Sequence, residues 1–454
     1  MNIIIVGCGK VGYVMAEQLD KEKHEVTVID SNADRLEQVI GALDIQGCAG
    51  NGSSLKVQTS AGVKHADLLI AVTNKDETNL LSCLIAKKAG NCHTIARVRD
   101  FNYYEEINFI KEELGLSMYV NPEFEAAREI ARLLQVPSAT QLDVFSKGRV
   151  NMVGIKVEKN SPLNGIRILD IRSKINENVL ICMIERGGDI IIPRGQDFIR
   201  EGDNVSLVAP IMELSGVLTR IGVVSKPIKD VMIAGGGTIA LYLAGLLKQA
   251  RMKVKIIERD KARCEFLSEQ LQNAIIINGD ATNQDLLNEE GIHNTDAFIS
   301  LTNMDEENIM LSLYANEVSQ AKLVTKVNRI TFNNVIKSLP IGTVISPKNI
   351  VAERIIRYVR TVQNTLGSNV AALYKINDRV EALEFNVKDT PQNKELIDVP
   401  IMDLKIKKDL LICAINRRGR LFTPTGKDTI QAGDSVIVVT TSLGLEDVSQ
   451  ILEE

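Results

Sequence analysis

Two short stretches have the composition of a phosphate cradle. Residues Gly7 to Gly12 read GCGKVG after the apolar run Ile3 to Val6, and Gly235 to Ala240 read GGGTIA after Val231 to Ala234. In such a turn the first glycine (Gly7, Gly235) permits a tight reversal and the second (Gly9, Gly237) lets the backbone approach a pyrophosphate. The small third residue (Gly12, Ala240) allows close helix packing. The helix that opens there presents oriented N–H groups and a dipole that favour an anion. Eighteen residues past the third small position stands an acid at the end of the next strand, Asp30 in the first copy and Glu258 in the second. A carboxylate there accepts the ribose hydroxyls of an adenosine and repels a 2′-phosphate, so NAD is favoured over NADP.

Other pairs of segments share the same spacing. Arg259 follows the second acid, where an arginine either stacks over adenine and touches phosphate or stays in solvent. GNGS (Gly50 to Ser53) and GDAT (Gly279 to Thr282) follow the third strand. Asp280 there suits an exocyclic amine, and Asn51 is a less definite substitute. AVTNKDETN from Ala71 and SLTNMDEEN from Ser300 follow the fourth strand, which places Thr73, Asn74, Thr302 and Asn303 at the carboxyl edge of a sheet. Asp76, Glu77, Asp305, Glu306 and Glu307 are read as helix-capping acids rather than cation ligands. Arg97, in ARVR on the fifth strand, suits a phosphate; its counterpart Lys326 keeps the charge without the planar fork.

The elements that must position these residues are written twice. Gly7 matches Gly235, Asp30 matches Glu258 and Thr73 matches Thr302, at separations of 228 or 229, and the segment from Ile181 matches that from Ile412. Each unit begins with short β-branched strands alternating with helix-like segments, the rhythm of a parallel sheet. It continues into short strands joined by turns such as RGGD and QAGD. The expected fold class is α/β: two tandem Rossmann-like, doubly wound parallel-sheet domains, each followed by a small α+β lobe with one short helix. The expected domains are 1–120, 143–224, 228–345 and 370–454, with crossover helices over 121–142 and 346–369. Those helices carry apolar stripes, Ala126, Ala127, Ile130, Leu133 and Leu134 in one and Val351, Ile355, Ile356 and Val359 in the other. Because each helix must leave its sheet, the stripes are read as at least partly an inter-subunit seam.

Composition narrows the function. A chain of 454 residues exceeds one core, and 45% hydrophobic with 24% charged residues is that of an ordinary globular protein. A net charge of −5, no Trp and 4% aromatic residues argue against nucleic acid as a partner. No apolar run reaches the ~18 residues of a membrane span, and the first strand starts at Asn2, so a cytoplasmic protein without membrane insertion is expected. Seven Cys without a C-x-x-C pair read as reduced thiols, and four scattered His suggest neither a metal nor a catalytic cluster. A dehydrogenase needs a proton-transfer group over its nicotinamide. Neither small lobe has a His, between Asn151 and Arg220 or from Val370 onward. An NAD-dependent oxidoreductase and a scaffold with vestigial sites are the alternatives that stay open at this point.

The series GCGKVG, VTVID, GNGS, AVTNKDETN and ARVR, followed by a β-rich lobe and then duplicated, resembles the family of Trk potassium-uptake regulators built from domains that regulate K⁺ conductance. The resemblance covers essentially the whole chain. It implies a non-enzymatic peripheral subunit at the inner face of the cell membrane that gates a Trk-type K⁺ transporter and assembles as a dimer or ring. It implies NAD⁺ or NADH as ligand, with ATP and ADP in some members. Carried over by position, the first site comprises Gly7, Cys8, Gly9, Lys10, Val11, Asp30, Asn51, Thr73, Asn74 and Arg97. The second comprises Gly235, Gly236, Gly237, Thr238, Ile239, Glu258, Asp280, Thr302 and Asn303. Ala240 and Lys326 depart from the family pattern, which has a third Gly and an Arg at those positions.

Overall fold

The structure is a computed structural model. It describes residues 1–454 except 101–102, 104–105, 136–140, 146–149, 176–178, 211–213, 223–226, 329–332, 366–369, 378, 443, 446 and 454. The expected lobe end at 224 and linker end at 369 lie outside the described residues, as do 136–140 of the first linker. The chain divides into two compact units: Met1–Gln135 with Pro227–Ile356, and Val136–Lys226 with Arg357–Glu454.

The first unit holds two six-stranded parallel sheets. Strands β1 (Asn2–Val6), β2 (Glu25–Asp30), β3 (Gln46–Ala49), β4 (Leu68–Ala71), β5 (His93–Arg97) and β6 (Met118–Val120) run in the order β3-β2-β1-β4-β5-β6. Ile3 pairs with Val26 on one side and Leu68 on the other, so the order reverses about β1 and opens a crevice at its carboxyl end. Ile3, Ile4, Ile5 and Val6, like all of β4, are buried because helices cover both faces.

The second repeat starts after β7 (Gln141–Phe145), β8 (Val150–Lys156), β9 (Leu180–Arg186), β10 (Asp189–Ile191) and β11 (Asn204–Pro210). Its strands are β12 (Asp230–Ala234), β13 (Lys253–Glu258), β14 (Ala274–Asn278), β15 (Ala297–Ser300), β16 (Lys322–Lys326) and β17 (Thr343–Ile345), in the order β14-β13-β12-β15-β16-β17.

The first crossover helix, Pro122–Gln135, begins directly after β6, with proline at its first position and Asn121 Oδ1 accepting from the N–H groups of Glu123 and Phe124. Its stripe does not form an inter-subunit seam. Ala126, Ala127, Ile130, Leu133 and Leu134 join one core with Ile239, Ala240, Leu243 and Leu247 of the second repeat. Asn121 Nδ2 donates to Tyr242 Oη at 3.1 Å, and the Phe124 and Tyr242 rings meet edge to face at 5.5 Å. The second crossover helix, Pro347–Thr365, buries Val351, Ile355, Ile356 and Val359 within the chain, and its Arg354 pairs with Glu125. The helix Thr238–Gln249 is apolar on nearly every face because both its own sheet and the crossover helix cover it.

The second unit contains two five-stranded antiparallel sheets, β10-β9-β11-β8-β7 and β18-β19-β22-β20-β21, where β18 is Val370–Asn377, β19 Val380–Asn386, β20 Leu410–Arg417, β21 Arg420–Phe422 and β22 Ser435–Thr440. One apolar layer, including Met152, Cys182, Val208, Ala382, Cys413 and Val439, joins them. The duplication extends to ion pairs. Arg186 holds Asp203 at 2.8 Å, and Arg417 holds Asp434 at 2.8 Å. The expectation of one short helix per lobe needs correcting. The first lobe has helices at Ile171–Ile175 and Leu214–Arg220, whereas the described part of the second has only 3-10 turns. IRSKI, the first of these helices, is matched by the shorter LKI after Asp403, which leaves too few residues for an α turn.

Candidate functional site

The crevice at the carboxyl end of β1 is a cleft of about 760 Å³. Gly7 ends the strand at φ +98°, and a β-carbon on it would lie 3.0 Å from the Thr73 nitrogen. A β-carbon on Gly12 would fall 1.9 Å from the Gly7 carbonyl oxygen, whereas Gly9 faces open space. The helix Lys10–Lys21 starts at Gly9 without a side-chain cap among the described residues, so its first N–H groups point toward the cleft. Cys8 and Gly12 stand behind the cleft wall; Gly7, Gly9, Lys10 and Val11 line it.

Asp30, 7% exposed, is locked at the end of β2. Oδ2 accepts from the Cys8 N–H at 2.8 Å and the Cys8 thiol at 3.2 Å, and Oδ1 from the Asn32 N–H at 2.8 Å. Burial opposes its ionisation, but the two backbone donors, the thiol and Arg35 together hold it below the usual carboxylate range. The same contacts act in reverse on Cys8: burial and the adjacent carboxylate push the thiol up to about 12, so it stays protonated. Glu258 repeats the arrangement, accepting from Gly236 N–H at 2.7 Å and Asp260 N–H at 2.8 Å.

Around these acids the two copies run in parallel. Asn51 Oδ1 accepts from the Ser53 N–H and hydroxyl at 3.0 and 2.8 Å, and Asp280 Oδ1 from those of Thr282 at 2.9 and 2.8 Å. Each therefore shapes its own turn beside the cleft, and the Thr282 contacts lower the Asp280 pKa. Thr73 and Asn74 line the first cleft, and Thr302 and Asn303 the second. Arg97 is half-buried, and the desolvation of its guanidinium lowers its pKa; the guanidinium donates to the Thr73 carbonyl from the cleft wall. Lys326 Nζ donates to the Leu301 carbonyl at 3.3 Å and does not line the second cleft.

The second cleft, of about 370 Å³, is lined by Gly235, Gly236, Gly237, Thr238, Glu258, Arg259 and Asp280, while Ile239 is buried in the helix core behind it. Gly235 has φ +101°, and Ala240 carries the β-carbon that Gly12 has no room for.

Several residues were not singled out from sequence. Asn79 and Asn308, both fully buried, clamp the turns after the fourth strands. Asn79 donates to Thr73 O at 3.1 Å and Arg97 O at 2.9 Å, and Asn308 to Thr302 O at 3.1 Å and Lys326 O at 3.0 Å. Their signal was the last letter of DETN and DEEN. Asp76 and Asp305 do not cap their helices; they accept from the Arg99 N–H at 2.7 Å and the Asn328 N–H at 2.9 Å. Arg35 and Arg263 recur five residues past the acids. Arg35 lies 3.6 Å from Asp30, and Arg263 donates to the Gly236 carbonyl at 2.7 Å.

The clefts differ in charge and reach. The first is lined by Lys10, Arg35, Lys75, Arg97, Arg99 and Lys348 against Asp30 and Glu123, and it extends to Asn328, Pro347 and Lys348 of the second repeat. The second has Arg259 and Arg263 against Glu258, Asp260, Asp280 and Glu307. Among the described residues no cluster of His, Cys, Asp or Glu is suited to a metal ion.

Comparison with known proteins places these clefts in a family. The TrkA-N domain matches residues 3–122 and 231–347, and the TrkA-C domain residues 152–220 and 389–453. A Trk system potassium uptake protein TrkA homolog of Archaeoglobus fulgidus is 32% identical over 99% of this chain and 100% of its own length. The Trk system potassium uptake protein TrkA of Vibrio alginolyticus is 33% identical over 96% and 95%. Among solved structures, the GsuK channel bound to NAD superposes with a TM-score of 0.62 at 19% identity, over 97% of this chain and 77% of that one. Two cradle domains and two small lobes, matched in order along full-length relatives, make this chain a member of the TrkA family of potassium-uptake regulatory proteins.

Proposed function

We propose that the chain is the nucleotide-sensing subunit of a Trk-type K⁺ uptake system, binding NAD⁺ or NADH, and ATP or ADP, in its glycine clefts and gating a membrane transporter. The observation that carries this is the matched pair of acids, Asp30 and Glu258, each fixed by two backbone N–H groups beside an uncapped helix start. A carboxylate so fixed is preorganised for ribose hydroxyls. The likeness to a channel bound to NAD supports the same ligand class. Among the described residues no helix is long and apolar enough to cross a membrane.

Gating requires that a ligand favour one of two arrangements. Because the first crossover helix packs into the second repeat, closure of the first cleft acts first on its own chain and then on neighbouring copies in a homo-oligomer. The test is co-purification with a membrane K⁺ transporter, followed by K⁺ flux in vesicles with each nucleotide. Nucleotide-dependent flux that disappears with Asp30→Ala supports the reading. Flux indifferent to every nucleotide overturns it in favour of a scaffold with vestigial sites.

A further inference from the structure

The corner of the first cleft farthest from Asp30 is assembled from both repeats. Asp30 ends β2 on one side of β1, Thr73 follows β4 on the other, and Arg97 ends β5 beyond that. Arg99 and Glu123 lie past Arg97, and Lys348 joins them from the start of the second crossover helix. A nucleotide with its adenosine at Asp30 and its phosphates over the helix Lys10–Lys21 directs its other end into this corner.

Glu123 is only half committed there. Its Oε1 accepts from Arg99 Nε at 2.9 Å and from Nη2, whereas Oε2 is buried and has no hydrogen-bond partner among the described residues. A buried carboxylate oxygen left unpaired is unfavourable, and a cationic group that reaches it relieves that cost. Burial disfavours the charged form of Lys326 of the second repeat, and the Glu123 carboxylate, with Asp305, partly offsets that.

We propose that Glu123 is the specificity-determining residue of the first cleft, reading the charge at the far end of the bound nucleotide. The proposal rests on the nucleotide reading above. Glu123 attracts the cationic ring of NAD⁺, is indifferent to the neutral ring of NADH, and repels a terminal phosphate while holding the Arg99 that such a phosphate needs. ATP must take Arg99 from Glu123. The released carboxylate then has Lys348 and Lys326 of the second repeat as its remaining cations, so ligand charge becomes a change of ion pairing between the repeats.

Calorimetry on the full chain with AMP, NAD⁺, NADH and ATP tests this, comparing wild type with Glu123→Gln, which keeps size and hydrogen bonding without charge. The expected result is ATP tighter by about tenfold, NAD⁺ weaker by a few-fold, and AMP and NADH unchanged within about twofold. AMP is the control because it ends short of the corner. Lys348→Gln, on the other repeat, should weaken ATP and spare AMP, and thermal melting checks that both variants are folded. Equal shifts for ATP and AMP, or an unchanged ranking of all four ligands, would overturn the role of Glu123 while leaving the nucleotide reading intact. A wild-type chain that binds none of the four overturns both.

Discussion

At the scale of single residues, the cradle depends on a carboxylate kept charged and a turn kept free of side chains. Asp30→Ala leaves the Cys8 and Asn32 N–H groups without their partner and removes the ribose acceptor of the proposed site, so NAD⁺ affinity should fall at least about tenfold by calorimetry. The depressed pKa of Asp30 also links to stability. The unfolded chain takes up a proton near pH ~3.9, while the folded carboxylate stays ionised to lower pH. Its contribution is therefore complete above that value and lost as pH falls through the native pKa. Asp30→Asn should flatten acid unfolding curves in that window and leave their shape near neutrality unchanged. The third cradle position separates the two copies. Gly12→Ala drives a β-carbon into the Gly7 carbonyl and should cost about 1–3 kcal/mol in denaturant unfolding. Ala240→Gly meets no such clash and should cost about 1–2 kcal/mol through helix entropy and the loss of a buried methyl.

At the scale of elements, the crossover helix connects the repeats. Ile130 is fully buried between its own helix and the second repeat, so Ile130→Ala should cost about 2–5 kcal/mol. Tyr242→Phe strands the Asn121 amide and should cost about 1–3 kcal/mol; both are read from unfolding midpoints. The parallel strands, the cradles and their acids were legible because each is local: β-branched runs, glycine spacing and the distance to the next acid lie within some thirty residues. The duplication fixed the order of the lobes. What covers the stripe of the crossover helix was not legible, since a stripe of Ala126, Ile130 and Leu133 states that a face is buried without naming its partner. Asn79 and Asn308 escaped notice because a polar residue on a helix looks solvent-facing until the turn it clamps is known. Asp76 and Asp305 looked like caps for the same reason, although they reach across to a neighbouring loop instead.

At the scale of the whole molecule, two copies of one cradle have acquired opposite electrostatics. Six cations face two acids in the first cleft, against two cations and four acids in the second. The charge of the full chain, −5, conceals this division. A lining rich in cations gathers polyanionic ligands and strengthens their binding, whereas an excess of acids disfavours each additional phosphate. ATP should therefore bind in the first cleft and bind poorly in the second, which is better suited to a ligand carrying little net charge. Both clefts open to solvent, so salt screens the difference: the Debye length contracts from about 10 Å at 0.1 M to about 3 Å at 1 M. Raising salt over that range should weaken ATP by about tenfold or more and AMP by less, as measured by calorimetry. The same titration on Asp30→Ala, with only the second cleft intact, should show weak ATP binding even at low salt, while Glu258→Ala should keep the full salt-dependent affinity. ATP affinity preserved in Asp30→Ala and lost in Glu258→Ala would reverse the assignment of the clefts. The charge division would then have a cause other than ligand selection.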